Sequence, residues 1–424
     1  MKIGIIGAGI GGLTLGYYLS ELNHQLTIFE SEKETGGLLR GLSIGGSNIE
    51  GYYHHLFTID NEAISLIKEL GLEEKLRYLV GNTGVFYQDN IYPFTTPFDL
   101  LKFSPLSFMD RLRCGFLVLI LKLISKGEIF RKIIAKDWLK KFMGKKVYQI
   151  LWQPLLVGKF GDKADKVSMI WLWNRLYRRG RTLLYLSGGF NLMLEKLKEK
   201  IEKKGNQILF ENKIEQIKTT KDNKIEVTSN KQQYIFDKVI VTTSISRYLE
   251  MVKQLPDKEI QELKKIQYRA SLCVVLILKQ KLMKETYWLN INDLEMPLLS
   301  VVEHTNFMKP VDYQNKHIVY VGNYPDINDK IMSFSEQEIK KIITKELKRI
   351  NANFEESWIE DLFVFKDKEA QSIVTIDYQI PSFLTPIPNL YLMTMAQIYP
   401  EDRGINQHIK MAKKIARKII RNNE

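Results

Sequence analysis

Residues 2–30 constrain the fold more than any other stretch of this chain. Lys2-Ile3-Gly4-Ile5-Ile6 is a short apolar run that opens into Gly7-Ala8-Gly9-Ile10-Gly11-Gly12. Leu13 to Leu22 then reads as a helix, and a second apolar run, Leu26-Thr27-Ile28-Phe29, ends on Glu30. Strand, glycine turn, helix, strand and acid, in that order, make a βαβ unit suited to a dinucleotide. Gly7 permits the tight turn, Gly9 leaves the backbone bare toward a pyrophosphate, and Gly12 lets the helix lie close to the strand. Gly11 stands in the same loop and is assigned to the cofactor with them. The helix N-terminus offers unpaired N–H groups and a positive dipole end to phosphates. Glu30 stands where a ribose hydroxyl is held, and its charge argues against a 2′-phosphate there.

The residues after Glu30 narrow the choice of dinucleotide. Gly36-Gly37-Leu38-Leu39-Arg40 places a second glycine pair just past the acid, with an arginine close behind. This extended motif resembles the flavin-containing amine oxidase superfamily, which includes protoporphyrinogen oxidases, phytoene desaturases and, more distantly, UDP-galactopyranose mutases. The resemblance continues in Asp237-Lys238-Val239-Ile240-Val241-Thr242-Thr243, similar to the strand that returns to the nucleotide domain late in such chains. It ends in Leu390 to Met393, then Ala396 to Gly404, then a basic helix. It implies an α/β fold, a Rossmann-like FAD-binding domain of the GR2 type with an inserted α+β substrate domain. It also implies FAD as cofactor, with Arg40 near the flavin end and Asp402 and Gly404 at the closing contact. No cysteine lies near the closing motif, so the FAD is expected to be non-covalent.

Chain length and composition agree with two domains. The 424 residues are 45% apolar and 26% charged, ordinary for a globular protein large enough for two domains and a substantial core. The expected FAD-binding domain is interrupted, comprising residues 1–80, 185–245 and 385–424. Residues 81–184, read as mostly helical, and 246–384, with strands at Leu272 to Leu278 and Ile318 to Tyr324 and a helix from Glu336 to Ile350, form the substrate domain. Met1-Lys2 runs directly into the first strand, so no signal peptide is read, and Cys114 and Cys273 are read as buried thiols of a reducing compartment. No Cys/His cluster has zinc-like spacing, and no metal is expected.

The net charge of +13 calls for an explanation. Part lies on the last helix, at Lys410, Lys413, Lys414, Arg417, Lys418 and Arg421, as a solvated face. Part lies between Lys122 and Lys146, interleaved with apolar residues. No nucleic-acid motif accompanies either. Cys114 to Leu121 is too short to span a bilayer, yet Arg111, Arg113, Lys122 and Lys126 flank it. It reads either as a core helix or as a segment lying on an anionic membrane surface. The expected location is cytoplasmic, with a place at the inner face of the membrane as the second reading, and the oligomeric state is open.

Three clusters are candidates for chemistry. In Glu50-Gly51-Tyr52-Tyr53-His54-His55-Leu56-Phe57, an extended segment would send His54 and His55 to opposite sides. One neutral imidazole could then orient substrate or move a proton, the alternative being a histidine bonded to backbone. In Val302-Glu303-His304-Thr305-Asn306-Phe307, Glu303 or His304 could be a general base. Asn306 and Tyr324, the latter on the next strand, would form a substrate wall, the alternative being a polar turn. In Trp171 to Arg181, Arg175 and Arg178 share a helix face. They read as a clamp for phosphate or carboxylate, or as a surface helix with its Trp residues inward. Tyr399 would by family position face the flavin ring, although the paired aromatic cage of amine oxidases is not evident beside it. The leading expectation is hydride transfer from a porphyrinogen-, isoprenoid- or amine-like substrate to FAD. The alternatives are a non-redox sugar-nucleotide mutase and a membrane-surface flavoprotein without catalysis.

Overall fold

The computed structural model describes residues 1–421. The side chain of Arg421, assigned above to the basic face, and residues 422–424 of the closing segment lie outside the described residues.

Five short apolar strands form one parallel sheet. Its order is Gln207–Leu209, Gln25–Phe29, Lys2–Ile6, Lys238–Val241, Leu390–Leu392. Parallel neighbours need crossovers, and the helix Ile10–Ser20 supplies the first one. Both faces of the sheet are covered, so its strands carry apolar residues on both sides. The helices Asn191–Lys203 and Ile405–Arg421 pack on Ile10–Ser20. On the opposite face lies an antiparallel meander of Ile214–Thr219, Ile225–Ser229 and Gln232–Phe236. Close packing of the first helix depends on Gly12, where a Cβ would sit 2.0 Å from the Gly7 carbonyl oxygen.

The second layer is a seven-stranded sheet. Its order is Ile359–Ser372, Tyr268–Leu278, His317–Asn323, Ser300–Glu303, Trp288–Ile291, Thr83–Tyr87, Asn90–Pro93. Segment 81–184 therefore opens with two strands before it becomes helical. Thr83–Tyr87 pairs in parallel with Trp288–Ile291, and this pairing ties the two inserted segments into one sheet. The helix Glu336–Ile350 has the bounds read from its pattern, and Ser335 and Glu338 close a reciprocal capping box at its start.

A third layer is helical. Phe108–Leu123, Ala135–Phe142, Gln153–Phe160 and Met169–Arg178 enclose a core that includes Leu139, Phe160 and Trp171. Ser107 caps the first of these by accepting the Asp110 N–H. The strand Thr182–Leu186 then leads back, pairing with Leu56–Phe57 and Leu76–Val80. The α/β architecture with an inserted α+β part is thus as the sequence implied.

Candidate active site

Two glycine turns meet at the end of the parallel sheet. Gly36 donates its N–H to the Ala8 carbonyl at 3.1 Å and forms a bridge with Gly9. Gly36 has φ +148 and Gly37 φ +56, backbone that a side chain would strain. A Cβ at Gly9 would meet only the Gly36 carbonyl oxygen, at 3.8 Å. Gly9 caps the helix Ile10–Ser20 with no side-chain bond, and the first turn holds no acid. Its leading N–H groups thus face a bare, glycine-lined cradle. Beside it, Glu30 is buried and accepts the Ala8 N–H at 2.8 Å and the Glu32 N–H at 3.1 Å. At Gly11 a Cβ would lie 3.1 Å from Met393 Cε, so the missing side chain there makes room for the closing segment. Arg40 leans on Tyr52, its Nη2 3.5 Å from the hydroxyl, and also approaches the Lys366 carbonyl at 3.4 Å.

The closing segment runs back toward this cradle. The Gly404 carbonyl accepts from His408 Nδ1 at 2.8 Å, just before the helix Ile405–Arg421. Asp402 carries a different load from the expected cofactor contact. Its carboxylate accepts from Lys159 at 2.8 and 3.1 Å and from Arg175 at 2.7 Å. Those cations hold its carboxyl well below the usual range despite burial. Arg403 donates to the Tyr324 hydroxyl at 2.8 Å and to Gln371 at 3.2 Å. A cleft beside them is lined by Trp171, Gln371, Val374, Ile398, Glu401 and Arg403.

The paired histidines flank this region. His54 Nδ1 lies 2.5 Å from the Tyr52 carbonyl. Since a carbonyl only accepts, Nδ1 carries the proton and Nε2 keeps its lone pair. His54 and His55 are only half-buried, yet burial, reinforced by Arg403 and Arg179 respectively, lowers their pKa values to about 4 and about 3. Tyr287 lies 3.4 Å from His55 Nδ1 and shares a 2.5 Å hydroxyl contact with Tyr53.

The wall expected from Glu303 to Asn306 is corrected. Alternation along Ser300–Glu303 sends Val302 toward the aromatic side and Val301 with Glu303 to the other face. Glu303 is fully buried and accepts the Leu282 and Met283 N–H groups at 3.1 and 2.5 Å. Burial pushes its pKa up to about 8. Asn306 Nδ2 donates to the Met283 and Thr286 carbonyls. His304 is sealed among Tyr53, Tyr185, Tyr313 and Tyr320, with Nε2 2.7 Å from the Tyr313 hydroxyl. Burial lowers its pKa to about 3. These side chains are thus engaged with partners inside the protein.

The arginine clamp is corrected in part. Arg175 is bound to Asp402, and Arg178 to Asp60 at 2.7 Å and Glu401 at 3.6 Å. Their neighbour Arg179 is exposed and has no ion-pair partner among the described residues. Tyr399 packs into the helical layer, 5.4 Å from the Tyr378 ring, with the Arg131 guanidinium 5.1 Å over it. The sequence reading missed Lys159, Arg403, Gln371 and the Tyr53–Tyr287 pair. Lys159 had one available signal, a lone cation in the run Leu155-Leu156-Val157-Gly158-Lys159-Phe160. Among the described residues no group of three or more His, Cys, Asp or Glu is placed to hold a metal.

The cradle suits a dinucleotide phosphate group, with bare backbone at Gly9 and Gly37, an uncapped helix start, and a carboxylate beside it at Glu30. Comparison with known proteins points to a flavin family. The sequence model of the family described as flavin containing amine oxidoreductase matches residues 10–393. Protoporphyrinogen oxidase, mitochondrial, of Nicotiana tabacum is 27% identical over 215 residues, covering 48% of this chain and 41% of the relative. Coproporphyrinogen III oxidase of Staphylococcus aureus (strain NCTC 8325 / PS 47) is 24% identical over 298 residues, covering 60% and 63%. The chain thus spans less than two thirds of the length of these curated relatives. A solved oxidoreductase from Methanosarcina mazei superposes with a TM-score of 0.73 at 18% identity, covering 98% of this chain and 100% of that one. With the family pattern running through residues 10–393, this protein belongs to the flavin containing amine oxidoreductase family.

Proposed function

We propose that the protein is an oxidoreductase that binds FAD non-covalently and oxidises a porphyrinogen-like substrate. The observation that carries this reading is the joined glycine cradle at Gly9 and Gly36. When bound, a flavin supplies a two-electron acceptor. Gly7, Gly9, Gly12, Gly36 and Gly37 would hold its phosphates through backbone, Glu30 the ribose, and Arg403-Gly404 with the start of the last helix the far end. Both thiols are buried and pushed up to about 12, which supports a non-covalent cofactor.

The chain's own groups then orient substrate. His54 Nε2 is a neutral acceptor near neutral pH and serves as a hydrogen-bond anchor. Lys159, Arg175 and Arg178 are paired with Asp402, Asp60 and Glu401, and Arg403 adds a further cation bonded to neutral partners, so a cationic amine gains little there. Arg179, beside them, suits a carboxylate on the substrate. A porphyrinogen-like substrate therefore fits better than an isoprenoid or a simple amine. The mutase reading is not favoured, since in the Arg175 to Arg181 group that it assigns to a pyrophosphate, Arg175 and Arg178 are already bound to Asp402 and Asp60.

The first test is the absorption spectrum of the purified protein, with any released chromophore identified. FAD in the supernatant after heating supports the reading, and a colourless protein that takes up no added FAD ends it. Porphyrin fluorescence on supplying a porphyrinogen then tests the substrate. Arg179→Gln is expected to raise KM about tenfold with kcat little changed, as loss of one charged hydrogen bond would.

A further inference from the structure

The helix Phe108–Leu123 buries only Cys114 and Leu121. Phe108, Met109, Leu112, Phe116, Leu119 and Leu123 are exposed, Met109 by 71%, Phe116 by 64% and Leu123 by 75%. Their spacing of one, three or four residues puts them on a single stripe of the helix. The stripe runs about 22 Å at 1.5 Å per residue. A contiguous apolar face of this kind on a folded surface marks an interaction site.

Charge indicates what lies against it. Residues 97–146 hold twelve Lys and Arg against four Asp and Glu, a large share of the chain's net +13. Three of those four acids are engaged locally: Asp99 by Thr96, Asp110 by Ser107 and Arg113, and Glu128 by Arg131. Lys102, Arg113, Lys122, Lys126 and Lys132 are exposed around the stripe. A second copy of the chain meeting this face would bring like charges together, whereas an anionic surface would neutralise them. Among the described residues no helix is long and apolar enough to cross a membrane, and the inner side of this one is packed on protein. Such a helix lies in the interfacial plane.

We infer that the exposed face of Phe108–Leu123 docks the protein on an anionic lipid bilayer. The docking helix is fastened to the site. Trp173 Nε1 donates to the Leu121 carbonyl at 3.0 Å, and Lys122 Nζ donates to the Arg179 carbonyl at 2.8 Å. The helix Met169–Arg178 that carries Arg175 thus sits directly behind the membrane face, which suits a substrate delivered from lipid.

The test is sedimentation of the full-length purified protein with phosphatidylglycerol-rich vesicles and with pure phosphatidylcholine vesicles. Binding to the anionic vesicles is expected, weakened by salt and at least about tenfold weaker on the neutral ones. Phe116→Glu/Leu119→Glu should abolish binding while leaving circular dichroism and melting unchanged, because both side chains are exposed. Lys126→Glu/Lys132→Glu, which leaves the stripe intact, should weaken it by about tenfold or more. No binding, equal binding to both vesicles, or a wild-type dimer that Phe116→Glu/Leu119→Glu dissociates would each overturn the inference. None of these readouts depends on catalytic activity, so a failure here leaves the redox reading untouched.

Discussion

Lys159, only 6% exposed, donates to both carboxylate oxygens of Asp402, and Arg175 reaches the same carboxylate at 2.7 Å. One partner comes from the helical layer and the other from the segment that closes the nucleotide-binding part. Their contact fixes the two parts against each other at the site. Lys159 is buried and Asp402 half-buried, so removing the carboxylate charge strands the Lys159 ammonium in a poorly solvated place.

Asp402→Asn is therefore expected to cost about 3 kcal/mol, since it leaves two cations facing a neutral amide. Lys159→Met should cost less, about 1–2 kcal/mol, because Asp402 keeps Arg175. Urea unfolding of the flavin-free variants measures both. Wild-type stability in Asp402→Asn would mean that the ion pair does not bind the two parts together.

Gly9 and Gly12 separate cofactor binding from folding. Gly9 has φ −74, and a Cβ there meets only the Gly36 carbonyl at 3.8 Å. Gly9→Ala should fold with less than about 1 kcal/mol of loss but bind flavin about tenfold more weakly, or worse, because the methyl enters the phosphate cradle. Gly12→Ala should lose both stability and flavin, since its Cβ would collide with the Gly7 carbonyl. Unaltered flavin affinity in Gly9→Ala, measured by fluorescence titration, would place the phosphates elsewhere.

Buried titratable groups set the pH range of stability. Glu50 and Glu303 have pKa values raised to about 7 and about 8, chiefly by burial. Their contribution is present below the unfolded carboxyl pKa and is lost as pH rises toward 7 and 8. His54, His55 and His304 have pKa values lowered to about 4, 3 and 3. Their contribution is present above the unfolded imidazole pKa and is lost as pH falls toward 3. The two declines overlap between the unfolded carboxyl and unfolded imidazole pKa values, so stability should peak in that overlap and fall on both sides. Glu303→Gln, which imitates the protonated acid, should flatten the alkaline decline between about pH 5 and 8. An unchanged pH profile by denaturant titration would mean that Glu303 ionises freely.

The nucleotide-binding half of the chain was legible because its rules are local. A strand, Gly7 to Gly12, a helix and Glu30 occupy one stretch, and each position has its own steric or electrostatic reason. The helix Glu336–Ile350 was legible for the same reason, through its capping residues and periodicity. The reaction side was not. Whether Glu303 faces the cavity or the sheet interior depends on strand alternation relative to a sheet built from residues 83–372, which no local pattern reveals. Arg175 and Arg178 looked like a free clamp because their acids, Asp402 and Asp60, are 227 and 118 residues away in sequence. Lys159 was passed over for the same reason, since its partner is 243 residues distant.

The Tyr53–Tyr287 contact makes the last prediction. The two hydroxyls lie 2.5 Å apart, and Tyr287 is also 3.4 Å from His55 Nδ1. Tyr53 is packed edge-on against Tyr287, Trp288, His304 and Tyr320. Tyr287 is buried and Tyr53 half-buried. Tyr287→Phe and Tyr53→Phe should each cost about 1 kcal/mol, because each removes the hydrogen bond between the two hydroxyls. The double variant should cost little more than either single one, giving a coupling of about 1 kcal/mol in a double-mutant cycle. Tyr287→Phe also removes the hydroxyl nearest His55, so His55 should gain mobility on the site wall, seen as broadening of its imidazole NMR signals. Additive losses would show that each hydroxyl is satisfied elsewhere, and the pair would then have no part in holding His55.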